Sequence, residues 1–452
     1  MKVTVIGCGL RTPLLIHGLD RSSLPVDELV LYDIDPNRAQ LMTALGKAVA
    51  THSSMRIRPA ATLDDAIDGC KFAISSIRVG DIAARARDER IIMEHGFAGQ
   101  ETTGPGGLAM ALRTVPVAIE HAQMVLERAD KNAWIINFTN PAGLITQAIS
   151  TETGARVVGI CDTPAELFFR ISIALGAPLE DVECEYFGLN HLGWVRRVKL
   201  RGEDVTQQLL SDDDKLRSLY PADLFPPDLI RALALIPTEY LFFYYSRATA
   251  HRNQLAAGAT RGEEILVLNQ RLLGQLYNEV GRGDVQTAVR TYANYLNRRN
   301  ASYLQLEAAA GSALTQADVD WDPFQAVTGY HRIAVEAMRS LSGAAPQQLV
   351  LNVANRGAID DLSTEDVIEI NCATDAHGPT PMKIGPLPRA VQGLVTSVKA
   401  YERLALQAAK RGSLSLATHA LFTNPIVGDW QAAHETLKAL KTSDPLHLGA
   451  YN

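Results

Sequence analysis

Short apolar runs alternate with helical segments through the first 160 residues, and this alternation constrains the fold more than any other sequence feature. Each run has the length of a buried strand, and segments such as Asp81 to His95 and Arg113 to Arg128 carry apolar residues at helical spacing. The runs are Val3 to Ile6, Glu28 to Asp35, Lys71 to Ile77, Ala133 to Phe138 and Arg156 to Cys161. Strands that alternate with helices predict an α/β fold with a parallel, doubly wound, Rossmann-like sheet.

The first run ends in a glycine turn that resembles part of a dinucleotide-binding fingerprint. Gly7 and Gly9 would let the backbone approach a pyrophosphate at the start of a helix, but Thr12 occupies the position of the third glycine. An ordinary tight turn is the alternative. The second run ends at Asp33, at the distance expected for a carboxylate that binds a ribose, although a helix N-cap before Pro36 is another interpretation.

Length and composition favour a cytoplasmic enzyme of two parts. A chain of 452 residues exceeds what one core usually holds, and we expect a dinucleotide-binding domain over 1–160 and a mixed α+β substrate domain over 161–452. The formal charge of −7, with scattered basic residues, argues against nucleic-acid binding. No apolar run reaches the length of a membrane span, Met1 leads directly into the first strand, and the five cysteines show no disulfide spacing.

Three polar stretches lie where a ligand crevice is expected, beyond the carboxyl ends of the strands. GQETTGPGG (99–107) predicts a flexible polar loop, and NFTNPAGLITQA (137–148) places Asn140 at the crevice. In GICDTP and GLNHLGW, Cys161 and His191 follow strands. A thiolate and a neutral imidazole are both good metal ligands, while a buried thiol and a loop histidine are the alternative interpretation. If a metal binds, two protein ligands indicate a catalytic ion rather than a closed structural one.

The order and spacing of many short motifs resemble glycoside hydrolase family 4, whose members cleave glycosides with NAD and a divalent metal. The motifs run through the whole chain, from the first glycine turn to the C-terminal part. They are GCGLRTP, IRVG, GQETTGPGG, NFTNPAG, CDTP, GLNHLGW, IPTEYL, TRGEEIL, VIEIN, GPLP and VKAYERL.

The resemblance implies a role for each motif residue. Cys161 and His191 would bind the metal, usually manganese, although these ligand types alone would favour zinc. Tyr240 would be the base that removes the proton from C2 of the sugar, ahead of its neighbours Tyr244 and Tyr245. Asp162 would be the acid that protonates the leaving oxygen. The implied cofactor-binding residues are Gly7, Gly9, Asp33, Ile77 and Asn137, and the implied substrate-binding residues are Arg78, Asn140 and Arg261.

The mechanism that the resemblance implies is oxidation at C3 by NAD, deprotonation at C2, elimination of the aglycone, addition of water and return of the hydride. The arginines suit a 6-phosphate, because a guanidinium donates two parallel hydrogen bonds. GLNHLGW, IPTEYL and VKAYERL favour 6-phospho-β-glucosides, whereas Asp162 is typical of members that act on α-linked substrates. We therefore expect a 6-phospho-β-glucosidase, with a 6-phospho-α-glucosidase as the alternative.

Two alternatives come from other functional classes. A dehydrogenase of the malate or lactate type would share the first domain without needing Cys161 and His191. A regulatory nucleotide-binding protein would need neither this pair nor Tyr240. The expected partner is a phosphorylated glycoside of low molecular weight, with no nucleic acid or membrane, and we expect a homo-oligomer.

Overall fold

The computed structural model describes residues 1–220, 222–301 and 322–452. Thirteen strands within these ranges form a single sheet in the order β10-β8-β7-β12-β11-β6-β5-β4-β1-β2-β3, with β13 beside β12 and β9 beside β8. The strands are β1 (Lys2–Ile6), β2 (Glu28–Tyr32), β3 (Arg56–Pro59), β4 (Phe72–Ser75), β5 (Trp134–Asn137), β6 (Val157–Gly159), β7 (Val182–Leu189), β8 (Leu192–Leu200), β9 (Glu203–Asp204), β10 (Ile236–Pro237), β11 (Gln347–Ala354), β12 (Val367–Asp375) and β13 (Gly378–Pro381).

Nineteen α-helices and two short 3₁₀ segments, Leu179–Asp181 and Glu239–Leu241, accompany these strands in the described ranges. The helices are α1 (Thr12–Asp20), α2 (Pro36–Val49), α3 (Leu63–Ile67), α4 (Asp81–Glu94), α5 (Gly104–Arg128), α6 (Ala142–Thr153), α7 (Thr163–Leu175), α8 (Thr206–Leu210), α9 (Asp213–Ser218), α10 (Pro227–Leu233), α11 (Phe242–Tyr245), α12 (Arg247–Ala257), α13 (Arg261–Gly281), α14 (Val285–Ala301), α15 (Gly329–Leu341), α16 (Arg389–Arg411), α17 (Leu414–Thr423), α18 (Trp430–Ser443) and α19 (Pro445–Leu448). No helix in the described ranges combines the length and the apolar character needed to cross a bilayer.

The six N-terminal strands pair in parallel, which confirms the predicted doubly wound sheet. Helices cover both faces of these strands, so every residue of β4 and β5 is buried. Strand β3 was not predicted from the sequence, because its residues Arg56, Ile57, Arg58 and Pro59 alternate at an edge and include only one fully buried side chain.

The sheet continues beyond β6 with antiparallel pairing. Strand β11 lies beside β6, with Asn352 opposite Gly159, and β12 then joins β11 to β7. Strands β7 and β8 form a hairpin whose turn contains Asn190 and His191. This arrangement brings the end of β6 and the turn of the hairpin to the same region of the sheet. Strands from before and after residue 160 share this one sheet, so the domain boundary at that residue stays a prediction.

The expectation of a flexible loop over 99–107 is wrong in its second half. Helix α5 begins at Gly104 and places Pro105 in its first turn, where a missing N–H costs nothing. The preceding turn is held by the Gln100 side chain, whose Oε1 accepts hydrogen bonds from the backbone N–H groups of Thr102 at 2.6 Å and Thr103 at 2.7 Å. The residues before the helix are therefore fixed in place.

Candidate active site

The turn after β1 approaches the end of β4 closely. Gly7 has a φ of +90°, and a Cβ at this position would lie 2.6 Å from the carbonyl oxygen of Ser76. Only glycine fits both the left-handed conformation and this contact. At Gly9, by contrast, a Cβ would meet nothing within 4 Å, so the backbone there faces open space.

Asp33 fastens this turn to the end of β2. Its carboxylate accepts hydrogen bonds from the backbone N–H groups of Cys8 at 2.7 Å and of Asp35 at 2.9 Å. The N-cap of α2 is Asp35, which accepts a hydrogen bond from the N–H of Asn37 at 3.0 Å. The N-cap interpretation of Asp33 is therefore wrong, while its contact with a ribose stays a prediction.

Asn137 shapes the loop after β5 with its side chain. Its amide nitrogen donates to the carbonyl of Ala142 and to the hydroxyl of Thr146, both at 3.1 Å, and its Oδ1 accepts from the N–H of Thr139 at 3.1 Å. The Thr139 hydroxyl in turn accepts from the N–H of Ile77 at 3.0 Å. This network joins the loops after β4 and β5. Asn140 is partly exposed in the second of them, and the predicted ligand contacts of Ile77, Asn137 and Asn140 are not tested by these bonds.

His191 and Tyr240 form the centre of the candidate site. His191 sits in the hairpin turn with a φ of +60°, and its ring stacks on that of Tyr240 with centroids 3.7 Å apart and an angle of 2° between the planes. Its Nδ1 shares a hydrogen bond with the hydroxyl of Thr102 at 2.6 Å. Burial lowers the pKa of His191 to about 4, so the imidazole is neutral near pH 7.

Cys161 lies two residues beyond β6 and is 4% exposed. Burial raises the pKa of its thiol well above the usual value. Burial also raises the pKa of the Tyr330 phenol, and the charges of Asp162, Cys161 and Tyr240 raise it further. Cys161 and Tyr240 therefore both lie in the region of Tyr330, and Tyr240 stacks on His191.

The donor set of this space fits a metal that shares its ligands with a bound molecule. A sulfur and a neutral imidazole nitrogen are available, because Nδ1 of His191 is held by Thr102 and Nε2 is left to coordinate. The ranges that the structure describes contain no group of three or more His, Cys, Asp or Glu that could hold a metal. The arrangement thus excludes a closed four-ligand centre built from these side chains and leaves room for ligands from water or substrate.

The two alternative tyrosines point elsewhere. The hydroxyl of Tyr245 accepts a hydrogen bond from the indole N–H of Trp194 at 3.2 Å, and burial raises the pKa of Tyr245 to about 12. Burial also raises the pKa of Tyr244. Of these three tyrosines, Tyr240 is the one whose ring stacks on His191, and its role as the base stays a prediction.

Asp162 lies near Arg11 and Tyr330, two residues that were not predicted as site residues from the sequence. Its carboxylate lies 3.9 Å from the guanidinium of Arg11, which is itself 4.4 Å above the ring of Tyr330. Burial raises the pKa of Asp162, while Arg11 opposes this shift. Although Asp162 precedes α7, its side chain makes no capping hydrogen bond.

A chain of buried ion pairs connects α4 to the site. Glu101 contacts Arg78 at 2.6 Å and Arg85 at 3.1 Å, and Arg85 also contacts Glu89 at 2.7 Å. Burial would raise the pKa of Glu101, but Arg78 and Arg85 outweigh this effect and hold it at about 2. Glu101 is the only carboxylate of GQETTGPGG, but it was not predicted as a site residue. The glycines of this motif predict a loop, and they do not indicate which cations its glutamate contacts.

Arg261 begins α13 and is only 12% exposed at its side chain, so it is not a surface ion pair. Its guanidinium contacts Glu264 at 3.1 Å and donates to the carbonyl oxygen of Arg299 at 2.8 Å. Burial lowers the pKa of Arg299, and the positive charges of Arg85 and Arg261 lower it further. Several positively charged guanidinium groups therefore lie close enough to repel one another. A bound anion would reduce this repulsion.

Comparison with known proteins agrees with these features. The model of the family 4 glycosyl hydrolases matches residues 2–175, and that of the family's C-terminal domain matches residues 186–427. A probable 6-phospho-β-glucosidase of Bacillus subtilis is 31% identical and aligns over 99% of this chain and 97% of its own length.

Two solved structures extend the comparison to bound ligands. A 6-phospho-β-glucosidase from Thermotoga maritima, solved with manganese, NAD⁺ and glucose-6-phosphate, superposes with a TM-score of 0.81 at 26% identity and 99% coverage of both chains. A 6-phospho-α-glucosidase from gut microorganisms, solved with NAD and glucose-6-phosphate, gives a TM-score of 0.79 at 26% identity and covers 100% of this chain and 99% of its own.

Proposed function

The chain belongs to family 4 of the glycosyl hydrolases, and we propose on this premise that it hydrolyses 6-phospho-β-glucosides with NAD and a divalent metal, Mn²⁺. One observation carries the proposal. Tyr240 stacks on His191, and the pKa of His191 is affected by the charge of Glu101, the carboxylate that Arg78 and Arg85 both contact. A cation site and a region rich in guanidiniums are thus neighbours, as a phosphorylated sugar on a metal would need.

The cofactors supply chemistry that no side chain of the chain has. When bound, NAD removes a hydride from the sugar and returns it in the same turnover, and the divalent ion polarises the oxygens beside the reacting carbons. Gly7, Gly9, Asp33, Ile77 and Asn137 would hold NAD on the parallel half, so residues 1–160 would form the NAD-binding domain. Cys161 and His191 would hold the ion at the start of the substrate domain, 161–452.

The side chains around this point would carry out the proton transfers. Tyr240 would take the proton from C2, because its hydroxyl is carried by the ring that stacks on the metal-binding histidine. Asp162 would protonate the leaving oxygen, and its raised pKa favours the protonated form that an acid needs. Asn140 would bind sugar hydroxyls, while Arg78 and Arg261 would bind the 6-phosphate through paired N–H donors.

The choice of β-glucosides rests on the Bacillus subtilis relative, and the alternative is an α-glucoside.

Asp162 and Arg11 lie 3.9 Å apart, so the acid is partly engaged by a cation. An aglycone that leaves easily needs little help from an acid. Asp162→Asn should therefore slow a sugar-linked substrate more than a nitrophenyl one if Asp162 is the acid, and equal losses on both would remove it from that role.

The test of the function uses purified protein with NAD, MnCl₂ and either anomer of nitrophenyl 6-phosphoglucoside. We expect nitrophenol release from the β-anomer and no accumulation of NADH, because the hydride returns to the sugar. Release from the α-anomer alone would correct the anomer. NADH produced in step with the substrate consumed would instead indicate a dehydrogenase, and no turnover with intact NAD binding would indicate a regulatory protein.

We also propose that the enzyme works in the cytoplasm as a homo-oligomer. All five cysteines are buried and unpaired, which suits a reducing compartment. On α7, the side chains of Phe169 and Ile173 lie one helical turn apart and are 48% and 59% exposed. Such apolar exposure favours self-association. Light scattering of the purified chain measures its mass, and a monomer at micromolar concentration would overturn the oligomer.

A further inference from the structure

Glu369, on β12, is a fully buried carboxylate surrounded by neutral donors. Its Oε2 accepts a hydrogen bond from the hydroxyl of Tyr186 at 2.7 Å, and its Oε1 accepts from the amides of Asn190 at 3.0 Å and Asn352 at 2.9 Å. Its exposed fraction is 0%, and it has no salt bridge in the part of the chain that the structure describes. A buried carboxylate without a cation is costly unless hydrogen bonds or a nearby positive charge stabilise it.

Two of the three donors lie on the hairpin that carries His191, and the third lies on β11, the neighbour of β6. Asn190 immediately precedes His191 in the hairpin turn. Asn352 lies on β11 directly opposite Gly159, two residues before Cys161. Glu369 is therefore bonded directly to the turn that carries His191, and it is linked to the end of β6 through Asn352 on β11.

The third donor, Tyr186, spans the hairpin itself. A Cβ at Gly193 would lie only 1.9 Å from the hydroxyl oxygen of Tyr186, so the phenol crosses directly over the partner strand β8. The same hydroxyl donates to Glu369 on β12, which flanks β7 on the side opposite to β8. The hairpin cannot shift along β12 without breaking this bond or that with Asn190.

Two acceptor atoms of this network lack a hydrogen-bond donor among residues 1–220, 222–301 and 322–452. The Oδ1 atoms of Asn190 and Asn352 are buried and accept no hydrogen bond within the described ranges. Both amide groups therefore donate to Glu369 through their nitrogens, while their oxygens accept no hydrogen bond from any residue that the structure describes. This orientation is explained if the carboxylate is the group that fixes both asparagines.

We propose that Glu369 is a positioning residue, which fixes the Asn190–His191 turn against the end of β6 so that Cys161 and His191 face one divalent ion. The inference rests on the proposed function, since that function places the ion between these two ligands. The Glu369 carboxylate also supplies a buried negative charge near the ion, because the charge of Glu369 acts on the Cys161 thiol. Partners that orient metal ligands typically change metal affinity by ~10–100-fold when they are replaced.

The test is a titration of Mn²⁺ by electron paramagnetic resonance, which counts free ion and needs no turnover. We expect Glu369→Gln to weaken Mn²⁺ binding by ~10–100-fold, because the neutral amide cannot accept all three hydrogen bonds. Affinity for NAD, followed by fluorescence, should stay within about twofold, since Glu369 lies outside the parallel strands. High Mn²⁺ should restore most of the activity, which a general loss of structure would not allow.

Glu402→Gln is the matched control. Glu402 is also a buried carboxylate, but it pairs with Lys399 on the same helix, α16, rather than with the hairpin. We expect its substitution to leave Mn²⁺ affinity unchanged even where it lowers thermal stability. Equal weakening by Glu369→Gln and Glu402→Gln would overturn the proposal.

Two further outcomes separate the inference from the function. If the wild-type chain with NAD binds no Mn²⁺, the proposed function has lost its metal site and the inference falls with it. If the wild-type binds Mn²⁺ and Glu369→Gln binds it equally well, only the inference is overturned. Should Glu369→Gln fail to fold, Asn190→Ala removes a single donor beside His191. It should weaken Mn²⁺ binding by about tenfold, and wild-type affinity would contradict the proposal.

Discussion

The candidate site has two ends whose buried charges are arranged in opposite ways. At the metal end, Cys161 and His191 lie near Glu369, a carboxylate held by neutral donors. At the arginine end, Arg85 lies between Glu89 and Glu101, and neighbouring guanidiniums repel Arg299. Within the described ranges, the carboxylate at the first end has only neutral donors, whereas guanidiniums and carboxylates alternate at the second. Under the proposed function, a divalent ion would bind at the first end and a phosphate at the second.

The largest effect should come from removing a ligand at the metal end. We expect Cys161→Ser to abolish turnover while NAD binding stays nearly intact, because serine is a far weaker metal ligand and the cofactor lies chiefly on the parallel half. Assays with and without added Mn²⁺ or EDTA, together with NAD titration, check this. Full activity of the variant in EDTA would show that the metal end binds no catalytic ion.

The next largest effect concerns Tyr240, the proposed base. Tyr240→Phe keeps the ring that stacks on His191 but removes the hydroxyl, so we expect kcat to fall by ~10²–10⁴-fold with little change in KM. In heavy water, deuterium should enter C2 of the released sugar phosphate with the wild-type enzyme, and NMR measures this. Tyr245→Phe is the control, because Tyr245 bonds Trp194 instead. Product without deuterium at C2 would contradict the elimination mechanism.

Glu101 tests the electrostatics of the arginine end through pH. Its pKa is lowered from 4.5 to about 2, so its contribution to stability is complete above pH 4.5 and is lost as the pH falls towards 2. We expect Glu101→Gln to lower the free energy of unfolding at pH 7 by up to about 3 kcal/mol. The difference from the wild-type chain should shrink between pH 4.5 and 3 in denaturant titrations. A difference that stays constant over this range would show that Glu101 is not held by its two arginines.

The smallest effect should distinguish phosphate binding from other roles of the arginine end. Arg261→Ala should raise KM for a 6-phosphoglucoside by ~10–100-fold, since a charge-assisted hydrogen bond contributes about 1.5–3 kcal/mol. The slower reaction of the unphosphorylated glucoside should be unaffected. Arg271→Ala, on the exposed face of the same helix, should change neither. Equal losses on both substrates would mean that Arg261 supports the fold rather than the phosphate.

The same contrast separates what local sequence can predict from what it cannot. Five of the six strands of the parallel half and the helices over 81–95 and 113–128 follow from periodicity, because the residues that determine them are neighbours in the chain. The family motifs also brought Cys161, His191 and Tyr240 forward as site residues; the structure stacks His191 on Tyr240, and their roles stay predictions.

The partners of these residues could not be predicted in the same way. The pairing of Arg78 and Arg85 with Glu101 depends on how α4 packs against the start of α5, and the donors to Glu369 come from the β7–β8 hairpin and from β11, which are distant in the sequence. Such contacts require the tertiary fold. Glu101 and Glu369 were both present in quoted motifs, GQETTGPGG and VIEIN, yet nothing in the spacing of either motif marks its glutamate as the acceptor of particular partners.

The hydrogen bond between Asn190 and Glu369 affects the order in which the enzyme is synthesised and folds. The two residues are 179 positions apart, so a ribosome has already made the hairpin with His191 long before β12 exists. Contacts of such separation form slowly, because a long loop must close before they can be made. A nascent chain that ends before residue 369 therefore carries Cys161 and His191, the two proposed metal ligands, without the strand that bonds the hairpin turn. If the proposed roles are right, we expect the metal site to form only after β12 (Val367–Asp375) has been synthesised and has joined the sheet.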